Sequence, residues 1–277
     1  MDGGGAIGIG AGVLRLVVSL AARADRRATM AAHLADIGLE AGFHDAVDAR
    51  TAPATALDSV ATRGPWGRIH PHDRACTASH FAAMAAFLKT PARHCLILED
   101  DVFVSPDLPQ WLADLSWWPS DADLIKLECW RARRLKLVVG PAVAEPHGRR
   151  LHRLHSRHSG GAGYLLSRPA AERILAARPA RLPIDHLLFN LNASPLARAL
   201  TTYQVLPALV RQGNEPPAQA QPRLKTRIPW PEYALQETRR GLLEIARLPR
   251  QALVLARGGH FLTPTWAERT LATQPPR

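Results

Sequence analysis

Cys95-Leu96-Ile97-Leu98-Glu99-Asp100-Asp101-Val102 decides how this chain reads: an apolar run that stops on three consecutive acids. A short, β-rich apolar run bounded by charge reads as a buried strand, and an open parallel sheet gathers ligands beyond the carboxyl ends of such strands. Three adjacent carboxylates repel one another and raise each other's pKa unless basic side chains or a hard divalent cation neutralise them. Magnesium and manganese bind through one or two carboxylates plus substrate phosphates. The segment therefore points to a metal-bound phosphate ester, with a solvated acidic turn after a core strand as the alternative.

Working outward, residues 14–20 form a strand, Asp25 caps a helix whose apolar face is Met30, Leu34 and Ile37, and Gly38 ends it. Residues 43–47 make a second short strand closed by Asp48, completing a βαβ unit. The glycine-rich run Gly8-Ile9-Gly10-Ala11-Gly12 precedes a strand instead of following one, so it is a flexible leader and not a dinucleotide loop. A loop over residues 50–73 leads to a helix over 76–88. Downstream come strands at 123–128 and 164–167, a helix begun by Pro169 and reaching about Arg178, an apolar helical stretch after Asp185, and a last strand at 203–206. Pro216-Pro217 marks the domain's end.

With 277 residues the chain can bury a large α/β core and carry an appendage. Cys76, Cys95 and Cys129 are odd in number and lack zinc-site spacing, which fits a reducing cytosol. No run reaches the roughly twenty apolar residues that cross a bilayer. The net charge is +11, of which residues 211–277 supply +6 through eleven Arg and Lys against five Asp and Glu. Such a tail suits nucleic acid, an anionic membrane face or solubility alone. Few aromatics, and none interleaved with the basic residues, argue against nucleic acid.

Taken together, the motifs resemble glycosyltransferase family 25, the bacterial lipopolysaccharide glycosyltransferases. The residues that carry the resemblance are Val17-Val18-Ser19-Leu20 with Asp25-Arg26, Ala46-Val47-Asp48, Cys76 with Ser79-His80, and Ile97 to Val102. Leu124 to Glu128, Gly161 to Ser167 and Pro183-Ile184-Asp185-His186 follow in family order, over about residues 14–212. The resemblance implies a GT-A-like, Rossmann-type, mostly parallel sheet flanked by helices, a divalent metal (manganese before magnesium) and a UDP-sugar donor, often UDP-galactose. One departure is His72-Asp73-Arg74-Ala75, which keeps an acid of the family's Gly-Glu-Ile-Gly but neither glycine.

Under that reading Asp101 is the metal ligand, with Glu99 on the metal through water or on the ribose. In a continuing strand those two face one way and Asp100 the other. Arg26 meets the diphosphate, Asp48 the uracil or ribose, and Ser79, His80, Glu99 and Asp100 complete the donor side. Lys126 and Glu128 line the acceptor side. If transfer inverts the anomeric centre, Asp185 is the base for the acceptor hydroxyl, and otherwise the N-cap of its helix. His80 is otherwise a hydrogen-bonded core residue.

Residues 1–13 are thus the leader, 14–212 the catalytic domain and 213–277 a Pro-rich linker with a basic helical extension. The extension pairs Leu242, Leu243, Ile245 and Leu248 with Arg239, Arg240, Arg247 and Arg250, and Pro249 divides it into two helices. Its apolar face either packs on the domain or lies on anionic lipid. The expected protein is a cytoplasmic hexosyltransferase, at the inner face of the plasma membrane, acting on a saccharide or lipid-linked saccharide. A non-catalytic binding protein of the same fold is the alternative.

Overall fold

The computed structural model describes residues 9–10, 12–129, 136–213 and 230–270. The acid-bearing strand His94–Glu99 lies in the middle of the sheet, parallel to Val13–Ser19, which in turn is parallel to Gly42–Asp45. On its other flank Gly163–Ser167 runs antiparallel, followed by Leu124–Lys126 and Thr202–Leu206, parallel to each other. Five strands thus share one direction, with Gly163–Ser167 inserted against them. Beyond Thr202–Leu206 the sheet continues antiparallel through Arg150–Leu154, Leu137–Ala144 and His260–Leu262.

Helices cover both faces, because the strands are apolar on both. Leu14, Leu16, Cys95, Ile97, Tyr164 and Leu166 face one way, onto the helices Pro71–Leu88, Arg168–Ala176 and Ile184–Phe189. Val13, Val17, Leu96, Leu98 and Leu165 face the other, onto Ala24–Asp36 and Leu108–Ala113. This is the α/β fold with a mostly parallel central sheet and flanking helices that the strand pattern predicts. The two-residue alternation also decides where the acids go, since Glu99 continues the row of Cys95 and Ile97 towards the Pro71–Leu88 helix.

Several local expectations need correction. The central helix begins at Pro71, with His70 capping it through a bond accepted from the His72 amide, so the preceding loop is shorter than expected. Asp25 lies inside the first helical turn, bonded to Arg23, and is not the cap. The strand expected over 123–128 breaks at Leu127: Leu124–Lys126 stays in the main sheet, whereas Glu128–Cys129 joins a small sheet with Val102–Val104 and Val210–Gln212. Most of the leader, and Pro216-Pro217, lie outside the described residues, although Ile9–Gly10 pairs with Val13–Ser19 as a short strand. The extension forms two helices, Trp230–Ile245 and Leu248–Ala256, with Pro249 in the first turn of the second. It does not stand apart, since His260–Leu262 completes the sheet edge.

A second anchor sits beneath it. Arg149 is wholly buried and bonds Asp107 at 2.6 Å, the carbonyls of Pro207 and Ala208, and the carbonyl of Ala267. Asp107 in turn accepts from the Thr270 amide.

Candidate active site

A cavity of about 290 Å³ opens at the carboxyl ends of Val13–Ser19 and His94–Glu99, where this topology places ligands. Of the residues proposed from sequence, Arg26, Asp48, Ser79, His80, Glu99, Asp100 and Asp101 all line it. The main chain turns after Glu99, so the three acids separate. Glu99 points to the central helix, where its Oε1 lies 3.4 Å from His80 Nε2 and accepts from the Cys76 thiol at 3.8 Å. Asp100 accepts from Ser19 Oγ at 2.6 Å and from Arg26 at 2.8 Å. Asp101 also faces Arg26, at 3.8 Å. The expected alternation, with Glu99 and Asp101 together, is therefore corrected: the turn brings both aspartates to the same guanidinium.

Electrostatics follow from this arrangement. Burial pushes the Glu99 carboxyl up, but the bond and charge of His80, the charge of Lys126 and the Cys76 bond outweigh it and leave the group below its ordinary value. The Cys76 thiol is pushed well up by burial and by Glu99, so it is no thiolate nucleophile. His80 is wholly buried, with Nδ1 2.8 Å from the Tyr164 hydroxyl, and it holds Glu99 in place. Asp48 is bonded by the Arg50 guanidinium and amide, which hold its carboxyl below its ordinary value. Ser79 spends its hydroxyl on the Val47 amide and the Ala75 carbonyl, fixing the loop that carries Asp48.

Lys126 and Glu128 lie elsewhere. Both are wholly buried and 3.0 Å apart, outside the cavity lining, so they do not line an open acceptor side as the sequence reading had them. Lys126 also donates to the Gly160 carbonyl at 2.6 Å, and Glu128 accepts from the Ala162 amide at 2.9 Å. Burial raises the Glu128 carboxyl against the pull of Lys126. The pair thus fixes the 158–163 loop. That loop in turn reaches Asp185, whose carboxylate accepts from the Gly160 amide at 3.3 Å and from the His186 amide at 2.8 Å. Pro183 occupies the N-cap position, so Asp185 is not the helix cap. It is not part of the cavity lining, but it is close enough for its charge to act on the Cys76 thiol.

The sequence reading missed Arg50, Tyr164 and Gln212. Arg50 sits two residues from Asp48, a spacing at which an Asp side chain bonds the turn backbone. Tyr164 lies within the Gly161 to Ser167 motif without a role assigned to it there, and both it and Gln212 are brought to the site by sheet pairing.

As for a metal, Asp100 is engaged through both oxygens by Ser19 and Arg26, Glu99 through Oε1 by His80 and Cys76, and Asp101 by Arg26, with the Glu99 and Asp101 side chains 23% and 27% exposed at the cavity wall. Two hard carboxylates beside room for phosphate are a donor set that fits magnesium or manganese. Among the described residues, the cluster of three such groups with ligand atoms within 4.8 Å of one another is Cys76, His80 and Glu99.

Residues 14–188 match the family described as glycosyltransferase family 25 (LPS biosynthesis protein). The chain belongs to that family. Similar to this family 25 chain are two proteins of Neisseria gonorrhoeae, the lacto-N-neotetraose biosynthesis glycosyltransferases LgtB and LgtE. LgtB is 32% identical over 63% of this chain and 66% of its own length, and LgtE 30% identical over 71% and 72%. The Haemophilus influenzae lipooligosaccharide biosynthesis protein lic2B is 22% identical over 73% of this chain and 77% of its own. The chain thus spans just under two thirds of LgtB. The family match ends at Phe189's helix and leaves the C-terminal helices outside it.

Proposed function

We propose that this family 25 chain is a metal-dependent glycosyltransferase that moves a hexose, galactose first among the candidates, from a UDP-sugar to a saccharide acceptor of lipopolysaccharide. The observation that carries this reading is the cavity wall: Arg26 and Arg50 stand among Asp48, Glu99 and Asp101 at the strand ends. Cations there suit a diphosphate and the carboxylates a divalent ion. Family membership and the saccharide-assembly names of the relatives supply the reaction class.

In this scheme Glu99 and Asp101 hold the metal, manganese before magnesium, which when bound supplies Lewis-acid stabilisation of the departing diphosphate. Arg26 adds fixed positive charge at the same place, prepositioned by Asp100. Asp48 meets the nucleoside. Asp185 removes the acceptor hydroxyl's proton in an inverting displacement, with the Gly160 and His186 amides keeping its carboxylate aimed. Lys126 and Glu128 act through that loop as positioning residues. Among the described residues no helix is long and apolar enough to cross a membrane; on this reading the protein sits at the inner face of the plasma membrane as a peripheral one.

UDP release from a panel of UDP-sugars, with manganese and with a chelator, tests the proposal. Release that needs both a saccharide acceptor and the metal is expected. Donor binding without release would leave the non-catalytic reading instead.

A further inference from the structure

The two C-terminal helices are docked the wrong way round for a packed amphipathic pair. Their inward contacts are mainly polar: Gln236 is buried, Arg240 lies 4.9 Å over the Trp66 ring, Glu244 meets Arg157 at 3.2 Å and Gln251 bonds Asn192 at 3.1 Å. Leu243 joins the core, but Leu235, Leu242, Ile245, Leu248 and Leu253 are 48–61% exposed. Positions 235, 242 and 245 share one face of the first helix, and Leu248 and Leu253 are exposed on the second. Five exposed large aliphatic side chains on two consecutive helices suit an interaction surface.

Its surroundings say what kind. Beside Leu248, a small pocket of about 70 Å³ gathers Arg198, Arg247 and Arg250, with Arg153 and His155. Among the described residues no carboxylate pairs with Arg198, Arg247 or Arg250, whereas Arg153 is matched by Asp121. Burial and the charges of Arg247 and Arg250 lower the Arg198 guanidinium from its ordinary value, as expected where cations crowd without a counter-ion. Arg239 and Arg257 are exposed along the same helices. Uncompensated guanidinium groups beside an exposed leucine stripe disfavour a second copy of the same charge and complement anionic headgroups over acyl chains.

We infer that the pair is a seat for an anionic bilayer, with Arg198, Arg247 and Arg250 taking a lipid phosphate and the leucine stripe entering the acyl boundary. The seat also lies near Asp185: Arg240 covers Trp66, and Trp66 meets the His186 ring at 4.6 Å. On the proposed function, that side is where a lipid-linked acceptor arrives. The seat itself does not depend on that reading.

Flotation of the full chain with vesicles of phosphatidylcholine, alone or with phosphatidylglycerol, tests it. Flotation with the anionic vesicles at low salt, and release at high salt, is expected. Arg247→Gln and Arg250→Gln should each weaken binding about fivefold. Leu242→Ser with Leu248→Ser and Leu253→Ser should weaken it at least about tenfold. All these side chains are exposed or lie on the rim, and an unchanged melting temperature shows that folding is intact. No flotation at low salt, equal flotation on neutral vesicles, or a self-association that disappears with the leucine variant would each overturn the inference. UDP release measured without vesicles stays independent of every one of these outcomes.

Discussion

Asp101 can be separated from the fold. The strand before it is held by Leu96, Ile97 and Leu98, all wholly buried and each contributing about 1.5–3 kcal/mol, whereas Asp101 sits on a partly exposed turn. Its ion pair with Arg26, at 3.8 Å, contributes about 1 kcal/mol at most. Asp101→Ala should therefore leave the melting temperature within about 3 °C while lowering metal-supported turnover roughly a hundredfold. Calorimetry beside a UDP-release assay checks both. Asp185→Asn should lower transfer by roughly 10²–10⁴-fold and leave donor affinity within about twofold, because a base acts in the transition state. Equal losses in rate and affinity would move Asp185 to donor binding. At this scale the sequence is uneven. The direction of Glu99 is readable from the row Cys95, Ile97, Glu99. The path of Asp101 is not, because Ser19 and Arg26, 81 and 74 residues from Asp100, capture that aspartate and turn the chain.

Among elements, the 158–163 loop depends on a single residue for its shape. Gly160 has φ +83°, and a Cβ there would stand 2.3 Å from Glu128 Oε1, whose carboxylate is already tied to Lys126 and the Ala162 amide. Gly160→Ala combines left-handed strain with a clash against an immobile partner, and should cost about 2–5 kcal/mol in denaturant unfolding. Because the Gly160 amide also reaches Asp185, the same variant should lose transfer rate more than donor affinity. The sequence shows this loop as flexible, close-approach backbone. The carboxylate against which it closes is supplied by a strand that breaks at Leu127, and the break comes from pairing of Glu128–Cys129 with Val210–Gln212. Nearby, Pro71 was the overlooked signal: proline suits a first helical position, and it moves the helix start ahead of Cys76. The hairpin of Leu137–Ala144 and Arg150–Leu154 has mixed polarity at its turn and leaves no clean alternation to read.

For the whole molecule, burial sets an acid limit. It lowers His44, His94, His152, His155, His158 and His186 from their ordinary value of 6.5, and His158 furthest. The unfolded chain then binds more protons than the folded one once pH drops below about 6.5, so stability is full above that value and drains as pH falls through it. The raised Glu128 acts in the opposite sense, so the histidines must be isolated by mutation. Melting temperature should fall by roughly 5–10 °C between pH 7 and pH 5. His158→Asn, which can keep the 2.6 Å bond to the Ser159 carbonyl, should flatten that decline. The Arg149 site bears on something else, the order in which the protein can be made. Its guanidinium needs Ser105, Asp107, Pro207, Ala208 and Ala267, and Asp107 needs Thr270, 163 residues further along. A buried cation with partners missing is costly. On the ribosome, therefore, the strands that end at the cavity can pair early, but the far edge of the sheet stays open until residues 260–270 leave the exit tunnel, and a nascent chain paused before that point carries an exposed strand edge that chaperones can recognise.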